Sequence, residues 1–115
     1  MSDDCLFCKI IAGDIPSNKV YEDEDVFAFH DISPAAPTHI LIIPKKHIAA
    51  VKDGDAEDTA LFGKLMLKAS EIARQQGLED NGYRFVVNTG DDGGQTVYHI
   101  HLHILGGRRM TWPPG

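Results

Sequence analysis

Three histidines stand on alternate positions in the stretch HIHLHIL, residues 99–105. Successive side chains of a β-strand point to opposite faces, so His99, His101 and His103 should project from one side while the aliphatic residues between them face the core. Imidazoles grouped in this way suit two kinds of chemistry. They can bind zinc, or one can attack phosphorus as a nucleophile while its neighbours bind and protonate a phosphate.

A glycine-rich loop, GDDGG at residues 90–94, precedes the histidines and favours phosphate chemistry. Glycine loops can turn several backbone N–H groups toward an anion. Asp91 and Asp92 weaken this inference, so their carboxylates should point away from any phosphate. The residues alone leave the zinc and the phosphate interpretations both open.

A second candidate site is the pair Cys5 and Cys8, the only cysteines of the chain. A single C-x-x-C motif is half of a zinc site, or simply two inert thiols. His47 and His99 are candidates for the two further ligands. Four protein ligands leave no open position for water, so such a zinc would be structural and catalysis would require no metal.

Composition limits the classes of protein to which the chain can belong. Its 115 residues are enough for one domain, spanning 1–115. A formal charge of −6 argues against binding of long nucleic acid, whose phosphates would be repelled. The sequence has no long apolar run to span a membrane, and its acidic start MSDDCLF is unlike a signal peptide. With its two cysteines, this pattern predicts a cytoplasmic protein.

About five strands and two helices must position these residues. The long helix has apolar residues at three- and four-residue steps, with Gly77 as its C-cap. The strands follow one another too closely for parallel crossovers, which predicts an α+β fold with a mainly antiparallel sheet. An exposed edge of such a sheet must be capped or paired, and this favours a homodimer. The predicted elements are a short helix at 6–12, the long helix at 55–77, and strands at 20–25, 26–32, 39–44, 83–89 and 98–107.

HIHLHIL resembles the H-φ-H-φ-H-φ-φ signature of the histidine-triad superfamily. Three further stretches resemble its Hint branch, the purine nucleoside phosphoramidases: FHDISPAAPTHILIIPKKH at 29–47, GYRFVVNTGDDGGQTVYHIHLHILGGR at 82–108, and the ending WPPG. The resemblance runs from about residue 6 to residue 115. It implies the histidine-triad fold, with a homodimer in which two five-stranded sheets join edge to edge into one of ten strands.

The resemblance also implies a mechanism. By the family pattern, His101 attacks the α-phosphorus of an adenylate, and water then hydrolyses the nucleotidyl-histidine to release AMP. A backbone carbonyl close to His99 would fix the tautomer of the nucleophile. His103 would hydrogen-bond the non-bridging oxygens, and His39 would belong to the proton relay that serves the leaving group.

Further residues match the nucleotide site of the family, and the implied ligand is a purine mononucleotide such as AMP or GMP. Asp31 would take both ribose hydroxyls, and Asn88 and Thr96 would lie near the phosphate and leaving group. The family often has serine where Thr96 stands, which affects the expected leaving-group preference. The apolar clamp around the purine would be Phe7, Ile10, Ile15, Phe29 and Ile32, and His30, Gly94 and Gln95 complete the predicted site.

Some triad proteins carry a zinc held by an N-terminal cysteine pair, a histidine after the third strand and the first triad histidine. The resemblance therefore implies a structural zinc at Cys5, Cys8, His47 and His99. Three functions remain open: a hydrolase of adenosine phosphoramidates or acyl-adenylates, a dinucleoside polyphosphate hydrolase, and a non-catalytic nucleotide-binding adaptor. The WPPG ending and the GGQ-x-V-Y-H context favour the first.

Overall fold

A computed structural model describes residues 4–115, so the first three residues of the acidic start lie outside it. The helices are α1 (Leu6–Ala12) and α2 (Thr59–Gln75), with 3-10 turns at Val51–Asp53 and Ala56–Asp58. The strands are β1 (Lys19–Glu22), β2 (Val26–His30), β3 (Thr38–Pro44), β4 (Tyr83–Val86) and β5 (Leu102–Gly106). They form one antiparallel sheet in the order β1-β2-β3-β5-β4, which confirms the predicted α+β class. No helix within the described range is long and apolar enough to cross a membrane.

The sheet separates two apolar clusters, and β3 contributes to both because it is buried on both faces. Ile40 and Ile42 pack on one face with the buried side of α2. Leu41 and Ile43 pack on the other face with residues of α1. The helix α2 therefore covers the larger core, while α1 covers the face on which the histidines lie.

The long helix begins and ends as its sequence indicates, apart from its first turn. Asp55 and Asp58 form a reciprocal capping box, and the turn that they close is a 3-10 helix that precedes α2. At the other end, Gly77 has a φ of 78°, and Leu78 donates its N–H to the carbonyl of Ala73 at 3.0 Å. This left-handed glycine ends the helix as predicted.

The turn between β1 and β2 contains no glycine because an aspartate replaces it. The Oδ1 of Asp23 accepts hydrogen bonds from the backbone N–H groups of Asp25 and Val26, at 2.8 and 3.0 Å. Such a side-chain bond to the backbone closes a tight turn without left-handed residues. The two strands are thus joined by a tight turn, as the sequence predicts, but β1 ends at Glu22, three residues before its predicted end.

The last strand begins at Leu102, so the predicted start at residue 98 is wrong. His99 and His101 lie in an irregular segment that pairs with residues 44–49 rather than with a neighbouring strand. In that pairing, Ile100 donates its N–H to the carbonyl of Ile48 at 2.8 Å. Because its backbone bonds to this loop, the segment does not pair with β3 or β4. Likewise β4 ends at Val86, three residues before the predicted end.

Candidate functional site

A cavity of about 380 Å³ opens on the α1 side of the sheet, a volume within the range of about 300–1,000 Å³ that small-molecule sites occupy. Two triad histidines, His101 and His103, belong to its wall. Most of its surface is apolar, with one carboxylate, that of Asp31. The predicted nucleotide residues on the wall are Phe7, Ile10, Ile15, Phe29, His30, Asp31, Ile32 and Thr96.

The wall also contains five residues that the sequence analysis did not assign to the site. Leu41 lies directly opposite His103, because the two are cross-strand partners in β3 and β5. Its assignment requires the strand register, which the sequence pattern alone does not give. The other four lie within two residues of predicted site residues, and this proximity along the sequence could have indicated that they line the cavity. The five are Leu6, Pro16, Ser17, Leu41 and Val97.

Three of the predicted nucleotide residues, Asn88, Gly94 and Gln95, do not line the cavity. The buried amide of Gln95 donates to the carbonyls of Ala49 and Val97 and accepts from the N–H of Gly90. The backbone N–H groups of Gly94 and Gln95 bond to carbonyls within the loop. These two groups therefore close a compact turn, and they do not form the anion cradle that the glycines predicted.

A close backbone approach accounts for one of the loop glycines. A Cβ on Gly93 would lie 2.6 Å from the carbonyl oxygen of Thr89, a separation that real Cβ atoms do not tolerate. The glycine thus lets the loop fold back on itself. This compact loop supports the segment that carries His99 and His101, because Gln95 joins it to residue 49.

The tautomer of His101 follows from one hydrogen bond. Its Nδ1 lies 2.8 Å from the carbonyl oxygen of His99. A carbonyl can only accept, so Nδ1 carries the proton and Nε2 of the neutral ring is left with a free lone pair. The ring is 6% exposed and packs edge-to-face on Phe7, with centroids 5.1 Å apart. A buried, oriented imidazole with a bare Nε2 is the arrangement that a nucleophile requires.

A second chain of hydrogen bonds fixes the protons of His39 and His103. The N–H of Ala35 donates to Nδ1 of His39 at 3.0 Å, so the His39 proton is on Nε2. That Nε2 lies 2.8 Å from Nδ1 of His103 and 3.5 Å from Oδ2 of Asp31. His103 therefore accepts at Nδ1 and carries its own proton on Nε2. Within residues 4–115, this Nε2 is a buried side-chain nitrogen without a protein partner.

Burial keeps this histidine pair neutral near pH 7. Desolvation, aided by the neighbouring His101 and His39 and opposed by Asp31, lowers the pKa of His103 from 6.5 to about 4. Desolvation also lowers the pKa of His39, although the nearby carboxylate of Asp31 opposes the shift. Both rings are therefore neutral donors in the folded protein, and the proton positions derived above hold at physiological pH.

The predicted metal ligands Cys5, Cys8, His47 and His99 converge on one point, with ligand atoms all within 4.8 Å of one another. The two Nδ1 atoms are 3.1 Å apart, and three of the four sulfur–nitrogen distances are 3.3, 3.3 and 3.6 Å. A tetrahedral zinc with ordinary bond lengths needs about 3.3 Å between nitrogens and about 3.6 Å between sulfur and nitrogen. These four residues therefore fit zinc.

The surrounding structure orients the histidine ligands toward this cluster. Nε2 of His99 donates to the carbonyl of Pro44 at 2.8 Å, which leaves its Nδ1 unprotonated and directed at the sulfurs. His47 follows Lys46, whose ammonium binds the buried carboxylate of Asp58 at 2.6 Å. The capping box of α2 thus holds the loop that presents His47.

A second group, Asp31, His39 and His103, also has its polar side-chain atoms within 4.8 Å of one another. Its two nitrogens are already joined by a donated proton at 2.8 Å. A metal would have to displace that proton and break the hydrogen bond. We therefore interpret this group as a hydrogen-bonded chain rather than as a second metal site.

Comparisons with known proteins agree with this geometry. The family model described as "HIT domain" matches residues 12–110. A 14 kDa zinc-binding protein of Zea mays is 55% identical over 96% of this chain and 87% of that protein. The crystal structure of a HIT family hydrolase from Legionella pneumophila superposes with a TM-score of 0.96 at 55% identity, covering 97% and 100% of the two chains. A histidine triad nucleotide-binding protein from Candida albicans gives 0.82 at 32% identity, covering 96% and 83%.

The geometry of the cysteine–histidine cluster predicts about one zinc ion per chain. His47→Asn should remove the zinc and lower the melting temperature, because a four-ligand site adds its binding energy to folding. The matched change His103→Asn should leave the zinc content unaltered. Metal analysis by mass spectrometry and a thermal scan would measure both. Zinc that is lost from the His103 variant and kept in the His47 variant would instead assign the metal to the hydrogen-bonded chain.

The low pKa of His103 predicts that the free energy of unfolding decreases as the pH is lowered from about 6.5 to about 4. In that interval the unfolded imidazole binds a proton and the folded one does not, so the free energy of unfolding rises with pH by up to about 1.4 kcal/mol per unit. This stability is fully present above 6.5 and is lost as pH falls toward 4. Urea denaturation of the wild type and of His103→Asn should give a shallower dependence for the variant. Equal slopes would contradict the shifted pKa.

Proposed function

This chain belongs to the HIT domain family, and from that membership we propose that it is a hydrolase of purine nucleoside phosphoramidates or acyl-adenylates. The observation that carries the proposal is the bond from Nδ1 of His101 to the carbonyl of His99, because it leaves a bare Nε2 on a ring that lines the cavity. The Legionella hydrolase supports hydrolysis, and the Candida protein supports a nucleotide ligand.

In the proposed reaction, the lone pair of His101 Nε2 forms a bond to the α-phosphorus as the bond to the leaving group breaks. The imidazole gains positive charge in this step, and the carbonyl of His99 stabilises it through the Nδ1 proton. A leaving amine departs with a proton, whereas the carboxylate of an acyl-adenylate needs none. Water then attacks phosphorus, the phosphorus–nitrogen bond breaks, and AMP or GMP leaves with the His101 nitrogen bare again.

The buried N–H of His103 has a defined part in this proposal. Without a protein acceptor, it is suited to donate to a non-bridging phosphate oxygen, which gains negative charge in the transition state. His39 holds it in the required tautomer through the 2.8 Å bond. For a leaving amine, we propose that the pair first takes up a proton from solvent, so that His39 is transiently cationic and is stabilised by the carboxylate of Asp31. The pair then gives that proton to the amine and is neutral again, and the water that later attacks phosphorus releases one proton to solvent.

The rest of the cavity suits the nucleoside. Phe7 and Phe29 pack edge-to-face, with centroids 5.6 Å apart, and form part of an apolar wall for a purine. Asp31 stands on the same wall and would accept both ribose hydroxyls. We propose that zinc, held by the cysteine–histidine cluster, stabilises the fold and supplies no chemistry to the reaction. We also propose a homodimer, since the sheet has two edge strands, β1 and β4, to pair.

Two rival functions make different predictions for substrates. A dinucleoside polyphosphate hydrolase should turn over diadenosine polyphosphates faster than a tryptamine–adenosine phosphoramidate. A non-catalytic adaptor should bind AMP and hydrolyse neither compound at a useful rate. Comparing the two substrates with the purified protein therefore tests the proposed specificity directly.

His101→Gly should abolish phosphoramidase turnover and leave AMP binding measurable. Loss of a covalent nucleophile typically lowers the rate by about three or more powers of ten. A rapid quench of the wild type should trap an adenylylated protein, and peptide mass spectrometry should locate the adduct on His101. More than a few per cent of wild-type activity in the variant, or an adduct on His99 or His103, would remove His101 from this role.

Asp31→Asn should weaken the binding of AMP by about 1.5–3 kcal/mol, because an amide accepts two hydroxyl donors less well than a carboxylate. The asparagine oxygen can still accept from the N–H of Ser33, so the local turn should persist. Binding of the 2′,3′-dideoxy nucleotide should barely change. Calorimetric titration of both ligands gives the comparison, and equal losses would contradict the ribose assignment.

A further inference from the structure

The helix α1 serves the metal cluster and the cavity at once. Cys5 and Cys8 belong to the cluster, while Phe7 between them lines the cavity. The α1 helix has seven residues, and a helix of this length does not hold its position without tertiary anchors. Fixing the two sulfurs therefore also fixes the ring of Phe7.

Phe7 is 4% exposed, and its ring contacts one ring of the metal cluster and one ring of the cavity wall. Its centroid lies 5.9 Å from that of His99, a cluster ligand, and 5.1 Å from that of His101. Both contacts are edge-to-face. Among the described residues that line the cavity, none is a cluster ligand, so Phe7 is a packing connection between two separate sites.

His99 provides a second connection, through its backbone. Its fully buried ring is held at Nε2 by Pro44 and directs Nδ1 into the cluster. The carbonyl of the same residue accepts the proton of His101 Nδ1 at 2.8 Å. Because this segment lies outside the sheet, the position of that carbonyl depends on the contacts of the His99 ring together with the backbone bond from Ile100 to Ile48.

We propose that the cluster and the cavity are energetically coupled: zinc at Cys5, Cys8, His47 and His99 raises the affinity of the cavity for purine mononucleotide. The proposal rests on the nucleotide-binding function proposed above. By linkage, nucleotide must raise the affinity of the cluster for zinc by the same factor. Couplings of this kind are typically about 5- to 150-fold. Phe7 is accordingly a positioning residue that connects the two sites, in addition to its contact with the nucleotide.

The test measures both halves of the linkage on the wild-type chain. Calorimetry gives the AMP dissociation constant with zinc bound and with zinc removed, at a temperature where circular dichroism finds the zinc-free protein folded. Competition with a chromophoric chelator gives the zinc dissociation constant with and without saturating AMP. A metal buffer sets the free zinc concentration, so the weak binding of zinc by AMP in solution does not enter. Both ratios should be at least about fivefold and equal to each other.

Two matched variants separate the connection from general stabilisation. Phe7→Leu removes the edge contacts to both histidines and keeps an apolar side chain, so the coupling factor should fall to the part that the backbone of His99 carries. Phe27→Leu is the control. Phe27 is buried on the same face, with its ring centroid 6.0 Å from that of Phe29, but it does not line the cavity. The control should keep the wild-type factor. Because the factor is a ratio within each protein, a changed basal affinity for AMP does not affect it.

The outcomes distinguish this proposal from the one on which it rests. AMP binding of equal strength with and without zinc overturns the coupling and leaves the proposed function intact. Equal loss of the factor in both phenylalanine variants overturns the role of Phe7. Failure of AMP to bind the zinc-loaded wild type overturns the proposed function and the coupling with it. If the zinc-free chain does not stay folded, the titrations are made in an osmolyte such as trimethylamine N-oxide that restores its circular dichroism signal, and an AMP affinity unchanged by zinc under those conditions overturns the coupling.

Discussion

The imidazole of His99 is the group on which the other parts of this site depend. It is fully buried, and a buried polar ring is tolerated only when both nitrogens have partners. One nitrogen binds the carbonyl that ends β3, the other meets the cysteine–histidine cluster, and the backbone carbonyl orients the next triad ring. Two chain segments that are remote in sequence, at residues 5–8 and 44–47, are thereby fixed relative to one residue.

The sheet divides its two faces between stability and chemistry. The α2 face carries the larger aliphatic core, in which fully buried side chains such as those of Ile40 and Ile104 have no polar group that needs a hydrogen bond. The opposite face contains rings of intermediate polarity, and burial there lowers the pKa of His39 and His103. Desolvation, usually a cost, has a use on this face, because it keeps the imidazoles neutral and their proton positions defined.

The parts predictable from sequence are those that local pattern determines. The periodic apolar positions of α2 and the closely spaced strands follow from short stretches, and the structure has the fold class that they indicate. The nucleotide residues around Asp31 were assigned from the family resemblance, and the structure places several of them on the wall of one cavity. The start of β5 does not follow, because whether residues 98–101 pair with a strand or with the loop at 44–49 depends on contacts more than fifty residues away. The anion cradle that the glycines favour depends on where the backbone N–H groups of the loop point, which the glycine pattern does not determine. The N–H groups of Gly94 and Gln95 bond to carbonyls within the loop, and the side chain of Gln95 joins the loop to residue 49.

The ligands of the cysteine–histidine cluster come from positions 5, 8, 47 and 99, and Cys5 and His99 are separated by 94 residues in sequence. Contacts of such long sequence separation form late in folding, since the entropy of closing the chain must be overcome before they contribute. During synthesis on the ribosome, the two cysteines are made well before His99, the last ligand along the sequence. A product truncated between residues 47 and 99 would therefore hold three of the four ligands and could not complete the site.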